Sequence, residues 1–168
     1  VKAMLRFSRC EVIGLHPLFG PEVKSLAGHN IVICPARTQK WLPRIMAILK
    51  NGQARIIETL PSRHDQWMAA VQVLNHLNTI TMGLALKRSG FDLKELYPVS
   101  TPAFDGKMDL LKKIFGPNAG LYAQIITHNP YTGQLFKDYQ QSLSELKKWI
   151  ERRDSEGLQK RIAETGNF

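Results

Sequence analysis

Arg55-Ile56-Ile57-Glu58-Thr59-Leu60-Pro61-Ser62-Arg63-His64-Asp65-Gln66-Trp67 is where the chain changes character. Before it, short apolar runs alternate with turn residues, as in an α/β unit; after Ser62, apolar residues recur at helical spacing. Gln53–Glu58 reads as a strand. Upstream of it, Thr38 is placed to cap a helix through Trp41, Ile45 and Leu49 that stops at Asn51-Gly52. Ile31-Val32-Ile33-Cys34-Pro35 is a second strand. Glu11–Leu15 is another, ending at His16-Pro17 and followed by a Gly- and Pro-bearing loop from Gly20 to Asn30. Two strands joined by one helix predict the tail of a larger sheet.

Downstream, His64, Trp67, Val71, Leu74 and Leu77 fall on one broad face of a helix that continues to about Arg88 and stops at Ser89-Gly90. Further helices are expected at Leu93–Tyr97, from Thr101-Pro102 through Met108, Leu111 and Phe115, and over Leu121–Thr127. A long one from about Gly133 to Arg153 carries the stripe Leu135, Tyr139, Leu143, Leu146, Ile150, and a short one follows Ser155. The fold class is therefore mainly α with a small α/β amino-terminal portion. So much amphipathic helix in 168 residues predicts burial between two copies. Trp41, Trp67 and Trp149 read as packing residues.

Composition excludes several classes. No apolar run approaches the roughly 18 residues of a membrane span. Two cysteines, Cys10 and Cys34, have no metal-ligand spacing and make no disulfide framework, so a reducing cytoplasm and no metal are expected. The net charge of +9 is spread along the chain. Its densest stretch, Lys147 to Arg161, is interleaved with Glu145, Glu151, Asp154 and Glu156, the pattern of a solvated helix face and not of a nucleic-acid surface.

No Gly-x-Gly-x-x-Gly, phosphate loop or Gly-x-Ser-x-Gly is present. The informative local sequence is Leu15-His16-Pro17-Leu18-Phe19-Gly20-Pro21-Glu22. A His at the end of a strand, fixed by the following Pro, sits where α/β sheets place ligands and titrates where proton transfer is useful; a structural His satisfies the same pattern. His64 and Asp65 open a helix, as cap, interdomain contact or pocket residues. His76 is a core or a site histidine, and Glu22 orients its loop or shapes a pocket.

His16-Pro-Leu-Phe-Gly-Pro-Glu22 resembles the His-Pro-[hydrophobic]-x-Gly signature of prephenate and arogenate dehydrogenases. Val1-Lys2 resembles the end of the Ser-Val-Lys element that precedes it in that family. Arg63-His64-Asp65-Gln66, Asn75-His76-Leu77 and Leu121-Tyr122-Ala123-Gln124-Ile125-Ile126 follow in register, so the resemblance covers essentially the whole chain. It implies that residues 1–60 are the end of a Rossmann-like dinucleotide-binding domain. Residues 61–168 would be a helical substrate-binding and dimerisation domain similar to the carboxy-terminal domain of 6-phosphogluconate dehydrogenase. Because the match starts inside a motif, the chain is expected to be a piece of a longer enzyme, with NAD or NADP bound mainly by the part before Val1.

The implied activity is NAD(P)-dependent oxidative decarboxylation of prephenate to 4-hydroxyphenylpyruvate, in tyrosine biosynthesis. Arogenate is the alternative substrate, and a non-catalytic dimerisation or tyrosine-sensing module the alternative class; tyrosine as an inhibitor stays open. The resemblance makes His16 the catalytic residue that takes the substrate hydroxyl proton. It places Lys113, His76, Glu22 and His64 at the substrate, and Lys2 and Pro17 at the cofactor. Lys113 stands where the family has a carboxylate-binding Arg. It keeps the charge but loses the planar fork.

Overall fold

The computed structural model describes residues 1–166; Asn167 and Phe168, the end of the expected helical domain, lie outside the described residues. The chain divides into two compact units, Val1–Trp67 and Met68–Phe168.

The first unit contains α1 (Lys2–Phe7), β1 (Ile13–Pro17), β2 (Asn30–Pro35), α2 (Trp41–Asn51), β3 (Arg55–Glu58) and α3 (Pro61–Met68), whose last residue opens the second unit. The strands form one sheet in the order β1-β2-β3, with β1 antiparallel and β3 parallel to β2. The β2-α2-β3 crossover is the unit expected from the sequence. β1 begins two residues later than expected and takes in His16 and Pro17.

β2 is the centre of this unit. Ile31, Val32, Ile33 and Cys34 are all buried, so both faces of the strand are covered. Ile31 and Ile33 pack with Leu49 of α2, and Ile13, Phe19, Leu42, Ile45 and Ile56 close around them. Val32 and Cys34 alternate to the other face.

Thr38 does not cap α2. The Glu11 carboxylate reaches the helix start from the β1 side and accepts from the backbone N–H groups of Gln39 (2.9 Å), Lys40 (3.1 Å) and Trp41 (3.0 Å). The Thr38 hydroxyl donates to the same carboxylate at 3.0 Å. A carboxylate from a distant segment thus does what a local side-chain cap does elsewhere. The Trp41 amide, followed by that of Gln39, holds the Glu11 carboxyl down at about 2.

In the second unit, a π-helical segment (Ala69–Leu74) continues into α4 (Asn75–Ser89). α5 (Leu93–Leu96), α6 (Pro102–Ile114), α7 (Ala119–His128), α8 (Thr132–Arg152) and α9 (Ser155–Thr165) follow. α6 opens at Thr101-Pro102 as expected, and Thr101 caps it by accepting from the Phe104 N–H at 3.3 Å. α4 packs on α6, and the π segment packs on α8. Gly83 permits the first of these approaches: a Cβ there would stand 2.6 Å from Leu111 Cδ2 and from Phe115 Cε2.

Two expectations about helix faces are corrected. Val71 is 60% exposed, whereas Met68, Ala69 and Val73 are buried. The wider π turn shifts the register, so a strict 3.6-residue count slips there. In α6 the buried set is Met108, Leu111 and Ile114. Phe115 is the C-cap, where the helical count has ended, and is 53% exposed. α8 has no buried residue, and Leu143, Leu146 and Ile150 of its expected stripe lie open.

Glu11→Gln is expected to lower the thermal unfolding midpoint at neutral pH. In the parent, the depressed carboxyl contributes stability that is complete above the ordinary 4.5 and is lost as pH falls towards about 2. The variant should lose part of that acid dependence. Unfolding curves measured at several pH values check this; equal slopes for both proteins would contradict it.

Candidate active site

The pairing of β1 with β2 sets the site. In an antiparallel pair, directly opposed residues share a face. His16 opposes Val32 and Gly14 opposes Cys34, so these four lie on the face of the sheet away from the Ile31–Leu49 core. Gly14 lets the amino-terminal segment close over this face, because a Cβ there would be 2.7 Å from Val1 Cγ2 and 3.2 Å from Cys34 Cβ. The result is a cleft of about 400 Å3 lined by Lys2, Gly14, His16, Val32, Cys34, Pro61, His64 and Asp65 among others, all within the first unit.

Inside it, His16 Nδ1 lies 2.8 Å from His64 Nε2, and His64 Nδ1 lies 2.9 Å from Asp65 Oδ1. The two rings meet edge to face, with centroids 5.0 Å apart and planes at 70°. Burial first, and then the neighbouring His64, push the His16 imidazole below its ordinary 6.5. His16 is therefore neutral at physiological pH, the form in which an imidazole can accept a proton. Burial, followed by the charge of Asp65, pushes the Cys34 thiol up, so it is not a poised nucleophile.

His16, His64 and Lys2, singled out in the sequence, come together in this cleft. Pro17 does not line it. It opposes Ile31, on the other face of the sheet, and is exposed. Glu22 is exposed in the loop after β1, its carboxylate folded back over Gly20, which fits the loop-orienting reading. Both ring nitrogens of His64 are within hydrogen-bonding distance of protein groups, so it is built into the site wall. Asp65 is the member that sequence reasoning undervalued; its signal was the adjacent His-Asp pair.

His76 and Lys113 belong to the second unit. His76 is half-buried, its ring edge on to Tyr122 with centroids 4.9 Å apart, and burial pushes its pKa down. Lys113 is exposed and makes no ion pair among the described residues. Its neighbour Lys112 is tied to Asp109 at 3.1 Å and lies 5.9 Å from the Tyr97 ring centroid.

A dinucleotide does not fit the parallel crossover present. The start of α2, where such a unit would cradle a pyrophosphate, is filled by Glu11. Among the described residues, no group of three or more His, Cys, Asp or Glu could hold a metal ion. Among the described residues, no helix is long and apolar enough to cross a membrane.

Residues 60–164 match the family model described as "Prephenate dehydrogenase, dimerization domain", and the chain belongs to that family. It is 30% identical over 156 residues to the "Probable arogenate/prephenate dehydrogenase" of Methanocaldococcus jannaschii, a match covering 91% of this chain and 35% of that protein. The solved structure of Synechocystis arogenate dehydrogenase resembles it with a TM-score of 0.69 at 21% identity, over 98% of this chain and 62% of that one. Prephenate dehydrogenase from Aquifex aeolicus, solved with hydroxyphenyl propionate and NAD+, gives 0.63 at 21% identity, over 92% and 56%. The chain thus spans about a third of the curated relative. The two structures show the fold of the part it covers.

Proposed function

We propose that this chain is part of an NAD(P)-dependent prephenate dehydrogenase, with His16 as the group that moves the substrate hydroxyl proton. The observation that carries the reading is His16 itself: a half-buried imidazole on a strand end, held below its ordinary pKa in a cleft, within a chain of this family.

The chemistry asks for such a residue. NAD+ or NADP+, when bound to the full-length enzyme, would supply the hydride acceptor. As hydride leaves the carbinol carbon, the hydroxyl becomes carbonyl-like, and its proton passes to His16 Nε2, Nδ1 being held against His64. The bond between the ring and its carboxylate then breaks, releasing carbon dioxide, and its electron pair completes the aromatic ring. The oxygen ends as a phenol and recovers a proton, so His16 acts first as base and then as acid. Its reduced basicity keeps it neutral for the first step and makes it a ready donor for the second.

Lys2, which lines the cleft, is placed on the cofactor side, and Lys113 at a substrate carboxylate, where a point charge replaces the fork of an Arg. His76, half-buried with its ring against Tyr122, is assigned to the substrate through the family resemblance. Arogenate is the second reading, favoured by Lys113 in the place of the Arg. The exposed stripe of α8 is assigned to a second copy of the chain, and the reaction to the cytoplasm.

In the full-length enzyme, His16→Asn should lower kcat on the order of 10² to 10⁴-fold and change KM less. The parent's kcat should fall as pH drops through the His16 pKa, below 6.5. Steady-state assays with prephenate and arogenate, each with NAD+ and NADP+, test this. Undiminished turnover would remove His16 from the chemistry.

Lys113→Ala should raise KM strongly, whereas Lys112→Ala, which loses only the Asp109 and Tyr97 contacts, should leave it near normal. Identical kinetics for the two variants would place the carboxylate elsewhere. Light scattering at micromolar concentration should return twice the mass of one chain. A monomer mass would refute the assignment of the α8 stripe to a second copy.

A further inference from the structure

The cleft holds a chain of three groups, Asp65, His64 and His16, linked at 2.9 and 2.8 Å. The proton positions along it are not independent. A carboxylate only accepts, so His64 Nδ1 carries the hydrogen that it donates to Asp65. A neutral His64 then has its lone pair on Nε2. The atom facing that lone pair, His16 Nδ1, must be the donor of the 2.8 Å bond. A neutral His16 with its hydrogen on Nδ1 has its lone pair on Nε2, the nitrogen from which it would accept a proton. One carboxylate, two rings away from the acceptor atom, decides which nitrogen of His16 is basic.

We infer that Asp65 is a positioning residue that acts through His64 to fix the tautomer of His16. This rests on the reading of His16 as the proton acceptor and adds to it a cause for the acceptor atom. It also assigns a second effect. When His16 gains a proton, its Nδ1–H points at a ring whose far nitrogen faces a carboxylate. The new positive charge is thus shared along the chain, partly offsetting the burial that disfavours it. Asp65 is 42% and His64 19% exposed at the side chain, so the carboxylate meets solvent while the histidine link is sheltered.

The same logic says what breaks it. Asn in place of Asp65 is nearly isosteric, and its amide N–H donates where the carboxylate accepted. His64 would then be protonated on Nε2, His16 on Nε2 as well, and the lone pair of His16 would turn to Nδ1. In Ser-His-Asp hydrolases the equivalent Asp→Asn change leaves the geometry intact and costs about 10⁴-fold in kcat through the wrong tautomer.

The test is nitrogen-15 NMR of the imidazole rings in this chain at a pH above 6.5, which reports the protonated nitrogen of each ring without an activity assay. The parent should show His16 and His64 both protonated on Nδ1. Asp65→Asn should move both to Nε2, and Asp65→Glu should restore the parent pattern. In the full-length enzyme Asp65→Asn should lower kcat on the order of 10²-fold or more with KM little changed, and Asp65→Glu should recover most of it. A parent spectrum with His16 protonated on Nε2 overturns the inference without any variant. So does an Asp65→Asn spectrum in which neither ring changes. If the spectra behave as expected but the full-length enzyme oxidises neither prephenate nor arogenate, the relay stands and the functional reading falls.

Discussion

β2 is buried on both faces, and that single constraint orders the first unit. A strand with Ile31, Val32, Ile33 and Cys34 all out of water needs a cover on each side. α2 covers one side through Leu49. The other is closed by Val1, Pro61 and His64 over Val32 and Cys34. Because side chains alternate, the antiparallel register leaves β1 no freedom about which residues join which side. His16 must face the second cover because it opposes Val32, and a one-residue slip would exchange it for Leu15 or Pro17 and empty the cleft of its imidazole.

That cover brings in polar side chains, His64 and Asp65, where the cover from α2 is apolar. An imidazole set against a covered strand is penalised when charged, which is the main reason that His16 sits below its ordinary pKa. A polar group so placed also needs a hydrogen-bond partner, and a second imidazole is an economical one, since it can be neutral itself. It needs a partner in turn, and Asp65, at the next position on α3, supplies it. The run of groups from sheet to solvent follows from the rule that buried polar atoms are paired.

Much of this could be read in the sequence, and the misses have physical causes. The strands were visible because Ile31–Pro35 and Ile56–Ile57 are short apolar runs between turn residues. His16 was visible because Pro17 and the strand end single it out. The cap of α2 was misassigned because Thr38 is local and Glu11 is 27 residues away; a carboxylate that folds back onto three amides leaves no local pattern. Val71 was misplaced because a π turn has no residue signature and shifts every later position. Pro17, assigned to the cofactor by the resemblance, opposes Ile31 and turns away from the cleft that His16 lines, because adjacent strand residues face opposite ways. For Asp65 the sequence leaves cap, interdomain contact and pocket open, because its partner's other partner, His16, is 48 residues from His64 and met only through strand register.

With His16 in its proposed role, a site made this way reconciles two demands that pull against each other. A base must be neutral at working pH, which burial secures, yet it must welcome a proton in the transition state, which burial opposes. Placing a carboxylate directly against His16 would serve the second demand and defeat the first, since an adjacent negative charge favours imidazolium in the resting enzyme. With His64 between them, the carboxylate orients His16 from a distance at which its charge acts weakly on the resting ring. Its influence increases only as positive charge moves onto the relay. The intermediate histidine is therefore more than a spacer: it lets orientation and charge compensation come from one Asp65 without fixing His16 in its protonated form.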